Sequence, residues 1–131
     1  MARILLIDDD HAVRTILRLT LIHYGHAVTE AANGREGLAV FVSSGGGAHD
    51  LVITDIIMPE QDGLEFLIEL RKRHGETKVI AMSGGGRMSA EDYLHNAQLL
   101  GASRVLAKPF SNELLLAAIG ELLPPRAGPG P

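Results

Sequence analysis

Four short apolar runs stand out along the chain, and each of them is too short to form a helix. They are rich in branched aliphatic residues, which is typical of strands covered on both faces of a parallel sheet. A fifth segment, residues 26–30, alternates polar and apolar side chains and therefore predicts an edge strand. The four apolar runs cover residues 4–7, 51–54, 79–82 and 105–107.

The segments between these runs carry apolar side chains at helical spacing, which predicts five helices. Side chains that favour helix N-caps lie before or near these stripes, at Asp10, Asn33, Asp62 and Ser111. The five stripes consist of Val13, Ile16, Leu17, Leu21 and Tyr24; Leu38, Phe41 and Val42; Leu64, Leu67 and Ile68; Ala90, Leu94, Ala97 and Gly101; and Leu115, Ala118, Ile119 and Leu122.

The order of elements is strand then helix, repeated five times. This alternation predicts a parallel sheet with right-handed crossovers and helices on both faces, hence a small doubly wound α/β fold. Glycine-rich segments at 43–47 and 84–86 predict loops. Residues 124–131 are dominated by proline and glycine, which predicts a disordered tail after a domain spanning residues 1–123.

Composition narrows the possible functions. A chain of 131 residues with 46% hydrophobic and 21% charged residues fits one ordered domain. The lack of cysteine excludes disulfides, thiolate metal sites and cysteine nucleophiles. A net charge of −4 argues against nucleic acid as the main partner. No apolar run approaches the roughly 18 residues of a membrane span, so we expect a cytoplasmic protein with no membrane partner.

Polar residues end four of the predicted strands. Aspartates 8–10 follow the first strand, and Asp55, Ser83 and Lys108 end the third, fourth and fifth. Because ligands of open parallel sheets bind beyond the carboxyl ends of the strands, these side chains are expected to gather at one edge. Clustered carboxylates repel one another unless a cation is present, and an oxygen-only ligand set favours Mg²⁺. Together with a lysine and a hydroxyl, this set suits a phosphoryl group bound covalently to a carboxylate.

At these positions the sequence resembles the receiver domain of bacterial two-component response regulators. The resemblance extends over about residues 3–122 and implies the flavodoxin-like strand order 2-1-3-4-5. Five motifs in order carry it, and together they are far more specific than any one alone. They are residues 4–10 (ILLIDDD), 54–59 (TDIIMP) with Asp62-Gly63, 81–84 (AMSG), 101–102 (GA) and 108–110 (KPF).

The resemblance implies a role for each matching residue. Asp55 would accept the phosphoryl group from a kinase phosphohistidine. Asp9 would bind Mg²⁺ directly, Asp8 would hold it largely through water, and the backbone carbonyl of Ile57 would complete the protein ligands. Ser83 would hydrogen-bond one phosphoryl oxygen and Lys108 would pair with another. The Lys108–Pro109 bond is expected to be cis, as is typical of the family.

One position departs from the family pattern. The family commonly has an aromatic residue three positions before the lysine, whereas this chain has Val105. Valine is stiff and too small to swing between buried and exposed rotamers in the same way. We therefore expect a weaker or differently routed switch, in which Ser83 alone shifts the loop and helix that follow it.

Simpler interpretations account for the other candidate features. Asp10 is expected to cap a helix, and the cluster at residues 71–74 (RKRH) is expected to be the solvated basic end of a different helix. Residues 84–86 lack the Lys-Ser/Thr ending of a nucleotide-binding P-loop, so a flexible turn is the better interpretation. His23 and His26 are expected to lie at the surface and at a helix end, not in a metal site.

These features predict a stand-alone receiver domain that acts as a phosphoryl acceptor, with slow autodephosphorylation at most, and not as a turnover enzyme. Its partners would be a sensor histidine kinase or histidine phosphotransfer protein and a downstream protein target. If the chain was cut from a longer protein, its tail would be a linker. Two alternatives stay open: a phosphatase of the haloacid dehalogenase type, whose spacing Asp8 and Asp10 meet, and a scaffold that is never phosphorylated.

Overall fold

Five parallel strands form a single sheet in the computed structural model, in the order β2-β1-β3-β4-β5. The structure describes residues 2–45, 48–56, 63–83, 95, 98 and 101–123. The sheet order and the parallel pairing confirm the predicted flavodoxin-like fold. The strands are β1 Arg3–Ile7, β2 Ala27–Ala31, β3 Leu51–Asp55, β4 Lys78–Ser83 and β5 Arg104–Ala107.

Four helices are described, and each follows a strand as predicted. Three of the four predicted N-caps are confirmed: the side chains of Asp10, Asn33 and Ser111 each accept a hydrogen bond from a backbone N–H of the first turn. Asp62, the remaining predicted cap, lies outside the described residues, as does most of the stripe predicted over residues 90–101. The helices are α1 His11–His23, α2 Gly34–Ser43, α3 Gly63–Arg73 and α4 Asn112–Leu122.

Strand β1 shows how the sheet divides the core into two layers. Leu5 and Ile7 face the layer that contains residues of α2 and α3, whereas Ile4 and Leu6 face the layer that contains residues of α1 and α4. All four side chains are fully buried, and each such burial contributes roughly 2 kcal/mol. The prediction of strands covered on both faces is therefore confirmed for β1. The edge strand β2 is partly exposed, as predicted from its alternation.

The predicted helix faces were partly wrong. Leu17 and Leu21 of α1 are buried, but Ile16 is 63% exposed and Tyr24 is 52% exposed. Leu17 and Leu21 are four positions apart and therefore lie on the same side of the helix. Ile16 is one position from Leu17, so its side chain is rotated by about 100° around the helix axis. The same error places Val42 and Ile68 in the core, although both are exposed. On α3 the predicted Leu67 is buried, together with Phe66 and Leu70, which were not predicted.

A glycine permits the close approach of α2 to the sheet. A Cβ atom at Gly37 would overlap the side chain of Ile7 on β1. A larger residue at position 37 would require either the Ile7 side chain or α2 to move. Gly37 therefore allows α2 to pack closely against the strand that leads into the aspartates.

The basic cluster at the end of α3 is only partly solvated, which corrects the prediction. Lys72 and Arg73 are exposed, as expected. The Arg71 guanidinium instead donates hydrogen bonds to the carbonyls of Gly101, Gly75 and Thr77, at 2.6–3.1 Å. The His74 ring packs edge-on against Phe41, with 5.0 Å between ring centroids. Gly101 lies in a turn with a φ of 100°, not on a helix.

Two further expectations concern histidines and membranes. His23 is exposed at the last residue of α1, whereas His26 is half-buried and its Nδ1 accepts a hydrogen bond from the backbone N–H of Ala2 at 3.2 Å. In the described part of the chain, no helix has the length and apolar character needed to cross a bilayer.

Candidate functional site

The register of the sheet brings two aspartates from distant parts of the chain together. Ile7 of β1 pairs with Thr54 of the adjacent strand β3, so the next residues, Asp8 and Asp55, lie side by side. On the other side of β3, the last residue of β4, Ser83, pairs with Ala107, and Lys108 follows directly. The carboxyl ends of three strands therefore deliver Asp8, Asp55 and Lys108 to one edge, as the sequence predicts.

The Lys108 ammonium group lies between the two aspartates. Its Nζ donates to Asp8 Oδ2 at 2.9 Å and to Asp55 Oδ2 at 3.0 Å. The Asp8 side chain has no exposed surface, that of Asp55 is 10% exposed and that of Lys108 is 20% exposed. Because charges interact more strongly when water is largely excluded, this triad is held more tightly than a surface ion pair.

Both carboxylate oxygens of Asp8 have partners. Oδ2 accepts from Lys108, and Oδ1 accepts a 2.9 Å hydrogen bond from the backbone N–H of Asp10. The Asp10 side chain turns the other way, because its Oδ1 accepts from the backbone N–H groups of Ala12 and Val13. Asp10 is thus the helix cap that its sequence position predicts. A phosphatase of the haloacid dehalogenase type would need the carboxylates of both Asp8 and Asp10 in the pocket, but the Asp10 carboxylate is engaged at the start of α1.

The surroundings of Lys108 hold it in its charged form. Burial by itself lowers the pKa of this lysine. Hydrogen bonds to Asp8 and Asp55, together with their negative charges, outweigh that effect and raise the pKa above its ordinary value. Lys108 therefore remains a permanent positive charge in this pocket at neutral pH.

Three carboxylates at this edge have a spacing suited to a divalent cation. Oxygen atoms of Asp8, Asp9 and Asp55 all lie within 4.8 Å of one another. Hard oxygen donors without nitrogen or sulfur are the set that Mg²⁺ prefers. With Lys108 the described pocket carries three negative charges and one positive charge, so a divalent ion matches the remaining charge. The residues present therefore fit Mg²⁺.

Backbone contacts fix the position of Asp55 at the end of β3. The N–H of the next residue, Ile56, donates to the carbonyl of Met82 on β4 at 3.0 Å. The hydroxyl of the buried Thr54 donates to the Asp55 carbonyl at 2.9 Å. The Asp55 carboxylate therefore projects from a rigid strand end and not from a mobile loop.

Two other predictions can be compared with the described residues. The Lys108–Pro109 peptide bond is cis, as the resemblance implies. Val105, which occupies the usual aromatic position, is half-buried and packs against the core layer beneath α2 and α3. Several predicted features lie outside the described part of the structure: the carbonyl of Ile57, the side chain of Ser83, residues 58–62 and the glycine run 84–86.

Sequence reasoning missed Arg14 and Glu30, which lie next to the aspartates. Arg14 Nη1 donates to the backbone carbonyl of Asp8 at 2.7 Å, and its Nε donates to Glu30 Oε1 at 3.0 Å. Glu30 also lies 3.1 Å from Arg18 Nε in an ion pair without hydrogen-bond geometry. The only available signals were an acidic residue in an edge strand and two arginines one helical turn apart, which resemble ordinary surface charges.

Comparisons with known proteins agree with the geometry. A family model, the response regulator receiver domain, matches residues 4–120. The chain is 39% identical over 123 residues to sensor kinase CckA of Brucella abortus, and the match covers 93% of this chain and 12% of that protein. The chain spans about half the length, or less, of the first curated relatives it matches.

Solved structures share the whole fold. A response regulator receiver domain protein from Clostridium thermocellum superposes with a TM-score of 0.85 and 32% identity, covering 93% of this chain and 94% of that one. The response regulator TrrA from Thermotoga maritima, solved in complex with Mg²⁺-BeF, gives a TM-score of 0.81 and 33% identity. That match covers 94% of this chain and all of the other.

Proposed function

The chain belongs to the response regulator receiver domain family, and on that basis we propose that Asp55 accepts a phosphoryl group from a phosphohistidine. The donor is a sensor histidine kinase or a histidine phosphotransfer protein. The phosphorylated surface then regulates a downstream protein, which is typical of the family. The protein itself acts as an acceptor whose phosphoryl group is lost slowly, and not as an enzyme that turns over a substrate.

One observation carries this proposal: a single ammonium group is shared by two buried carboxylates. Lys108 Nζ contacts Asp55 Oδ2 at 3.0 Å and Asp8 Oδ2 at 2.9 Å. A phosphoryl group on Asp55 would place anionic oxygens where a fixed cation already lies, and such preorganised charge lowers the barrier to phosphoryl transfer. An ordinary surface aspartate has no such partner.

The transfer needs no proton from Asp55. An Oδ lone pair of the ionised carboxylate forms the new P–O bond, the P–N bond of the phosphohistidine breaks, and its electron pair stays on the imidazole nitrogen. Lys108 pairs with one phosphoryl oxygen, and the Ser83 hydroxyl hydrogen-bonds another. Water later attacks the phosphorus, which releases inorganic phosphate and restores the carboxylate.

The metal site follows from the same three carboxylates. We assign Asp9 and Asp55 as direct ligands together with the backbone carbonyl of Ile57, and Asp8 as a ligand that acts largely through water. The occupied oxygens of Asp8, which already accept from Lys108 and from the Asp10 N–H, support that indirect role. Bound Mg²⁺ supplies charge neutralisation between the carboxylates and the incoming phosphoryl oxygens.

The proposal extends to the domain and its setting. We assign residues 1–123 to the receiver domain and residues 124–131 to a tail rich in proline and glycine. The signal leaves through the loop and helix after Ser83, with Val105 in place of the usual aromatic residue. The protein works in the cytoplasm, where kinases have access to ATP.

The direct test is the intact mass of the protein after incubation with acetyl phosphate and Mg²⁺. We expect one added phosphoryl group in the wild type, none in Asp55→Asn, and none when Mg²⁺ is removed by EDTA. Asp10→Asn is the matched control, because asparagine caps a helix as well as aspartate does and the adduct should persist.

An adduct that survives Asp55→Asn would contradict the assignment of the acceptor. Turnover of a phosphomonoester that survives Asp55→Asn but is lost in Asp8→Asn would favour the phosphatase alternative. If no adduct forms, the unphosphorylated scaffold is favoured, and a Mg²⁺ titration then shows whether the pocket still binds the ion.

A further inference from the structure

We propose that Arg14, anchored by Glu30, is a positioning residue that holds the Asp8–Asp9 peptide in the orientation that the metal site requires. The role rests on the proposed function, because it concerns the same Mg²⁺ site. It goes beyond that function by assigning part of the metal affinity to a residue that contacts no ligand oxygen. The proposal rests on the position of the nearly buried Arg14 guanidinium, which lies between the edge strand β2 and the backbone of Asp8.

Arg14 contacts the peptide that joins two of the three carboxylates. Its Nη1 donates to the Asp8 carbonyl at 2.7 Å, and this carbonyl belongs to the peptide whose N–H is that of Asp9. Rotation of this peptide would swing the Asp8 and Asp9 side chains relative to each other. The hydrogen bond therefore restrains the relative placement of two metal-binding groups.

The other contacts of Arg14 fix the guanidinium itself. Nε donates to Glu30 Oε1 at 3.0 Å, and Nη2 lies 3.1 Å from His11 Nδ1. The side chain is only 14% exposed. Three partners on three different nitrogens of one guanidinium define its orientation, which the single ammonium group of a lysine cannot reproduce.

Strand β2 thereby holds the Asp8 backbone at both of its polar groups. The Asp8 N–H donates directly to the carbonyl of Ala31 at 3.2 Å. The Asp8 carbonyl is held indirectly, through Arg14 and the neighbouring β2 residue Glu30. Contacts with the edge strand β2 therefore restrain the turn that carries Asp8 and Asp9.

A purely electrostatic role predicts a different outcome from a positioning role. Arg14 is a positive charge near an acidic pocket, so its removal should strengthen cation binding if charge alone matters. Its replacement by lysine should then change nothing. If Arg14 positions the peptide, both Arg14→Gln and Arg14→Lys should weaken Mg²⁺ binding.

Arg18 provides the matched control. It lies one turn further along α1 and forms an ion pair with the same Glu30, but no hydrogen bond of Arg18 to Asp8 is present among the described contacts. Arg18→Gln removes the same charge from the same partner. Its Mg²⁺ affinity should stay within about twofold of the wild type, because Arg18 makes no described contact with the Asp8 backbone and its charge lies one helical turn further from the carboxylates.

The experiment is calorimetric titration of Mg²⁺ into the metal-free full chain at fixed ionic strength. Outer contacts of metal ligands commonly alter affinity by 10–100-fold, so we expect about a tenfold weaker Kd for Arg14→Lys and Arg14→Gln. Glu30→Gln, which releases the guanidinium, should weaken binding by about threefold to tenfold on the same grounds. Thermal melting of each variant confirms that the titrated protein is folded.

A second readout does not depend on the metal. In the metal-free protein, the backbone amide resonances of Asp8 and Asp9 should shift in Arg14→Lys and stay in place in Arg18→Gln. Unchanged resonances and unchanged Mg²⁺ affinity in Arg14→Lys would overturn the positioning role while leaving phosphorylation of Asp55 intact. A wild type that binds no Mg²⁺ would overturn the metal site and the positioning role together.

Discussion

The two ends of the sheet use arginine in different ways. At the carboxyl ends of the strands, Arg14 binds one carbonyl and one carboxylate beside a pocket in which negative charges outnumber positive ones. At the amino ends, Arg71 donates to backbone carbonyls, and within the described part of the chain these are the carbonyls of Gly75, Thr77 and Gly101. The first arrangement orients groups that bind a ligand, whereas the second closes loops.

This contrast shows that the carboxyl ends of the strands hold side chains whose charges repel one another. Buried carboxylates such as Asp8 and Asp55 repel each other, and the ammonium group of Lys108 offsets part of that repulsion. The opposite end holds no comparable cluster of metal-binding groups among the described residues. Substitutions at the two ends should therefore separate stability from ligand binding.

The largest effect on stability is expected at the amino ends of the strands. Arg71→Ala removes the donor for three carbonyls in two loops, and we expect the free energy of unfolding to fall by roughly 3 kcal/mol. Mg²⁺ affinity should not change, because the site is at the other end of the sheet. Urea denaturation and calorimetric titration measure the two quantities.

Arg73→Ala is the matched control for Arg71→Ala, since Arg73 ends the same helix with half of its side chain exposed. Its unfolding free energy should change by no more than about 0.5 kcal/mol. A loss of Mg²⁺ affinity in Arg71→Ala would show that the two ends are coupled and would contradict the comparison.

A smaller effect, and one that Mg²⁺ reverses, is expected at the carboxyl ends. Lys108→Ala leaves two buried carboxylates without the hydrogen bonds of their partly exposed cation, and we expect a loss of roughly 2 kcal/mol in the metal-free protein. Saturating Mg²⁺ should restore most of this loss, because a cation again lies between the carboxylates. Denaturation with and without Mg²⁺ measures the difference.

Lys72→Ala, at a lysine whose side chain is 68% exposed, serves as the control for Lys108→Ala. Neither its stability nor its response to Mg²⁺ should differ from the wild type by more than about 0.5 kcal/mol. If Mg²⁺ fails to stabilise Lys108→Ala, the carboxylates do not bind the ion on their own.

The smallest effect is a pH dependence at the amino ends. Burial lowers the pKa of His49 below 6.5, and Arg3 adds to this while Asp50 opposes it. The unfolded chain therefore binds more protons than the folded one, so stability should fall as the pH drops through 6.5. The Phe41 ring stacks against this imidazole, with 5.9 Å between centroids.

Urea denaturation at pH 7.5 and pH 5.5 should show this loss, and His49→Gln should reduce it. His23→Gln, a substitution of an exposed histidine, is the matched control. His26, whose pKa burial also lowers, contributes a loss of the same sign. An identical pH dependence in wild type and His49→Gln would exclude His49 as a source of the effect.

The sequence was most informative where a buried apolar strand is followed directly by a reactive polar residue. Strands covered on both faces must be apolar, so β1 and β3 were recognisable, and an aspartate at the end of such a run was conspicuous. The site could therefore be predicted from Asp8, Asp55 and Lys108 before their distances were known. Helix caps were predictable for a similar reason, because the capping side chain and its helix are neighbours in sequence.

Contacts made by long side chains across the fold were not predictable in this way. Arg71 has the same sequence appearance as Arg73, but only Arg71 reaches the carbonyl of Gly101, which is thirty residues away. Arg14 and Arg18 are likewise indistinguishable by composition. The buried direction of a helix was misjudged at Ile16 because apolar spacing defines a broad stripe, and the packing against the sheet selects which part is covered.

Charged residues on the two outermost strands, β2 and β5, also affect whether strands of other molecules can pair with the sheet. Edge strands offer unpaired backbone groups to strands of other molecules, and charges on short edges hinder such pairing. Glu30 on β2 is bound to α1 through Arg14 and Arg18, and Arg104 on β5 is bound to α4 through Glu121. Both edge strands are short, with five and four residues. The charged side chains and the shortness of both edge strands therefore disfavour pairing of this sheet with a strand of another molecule.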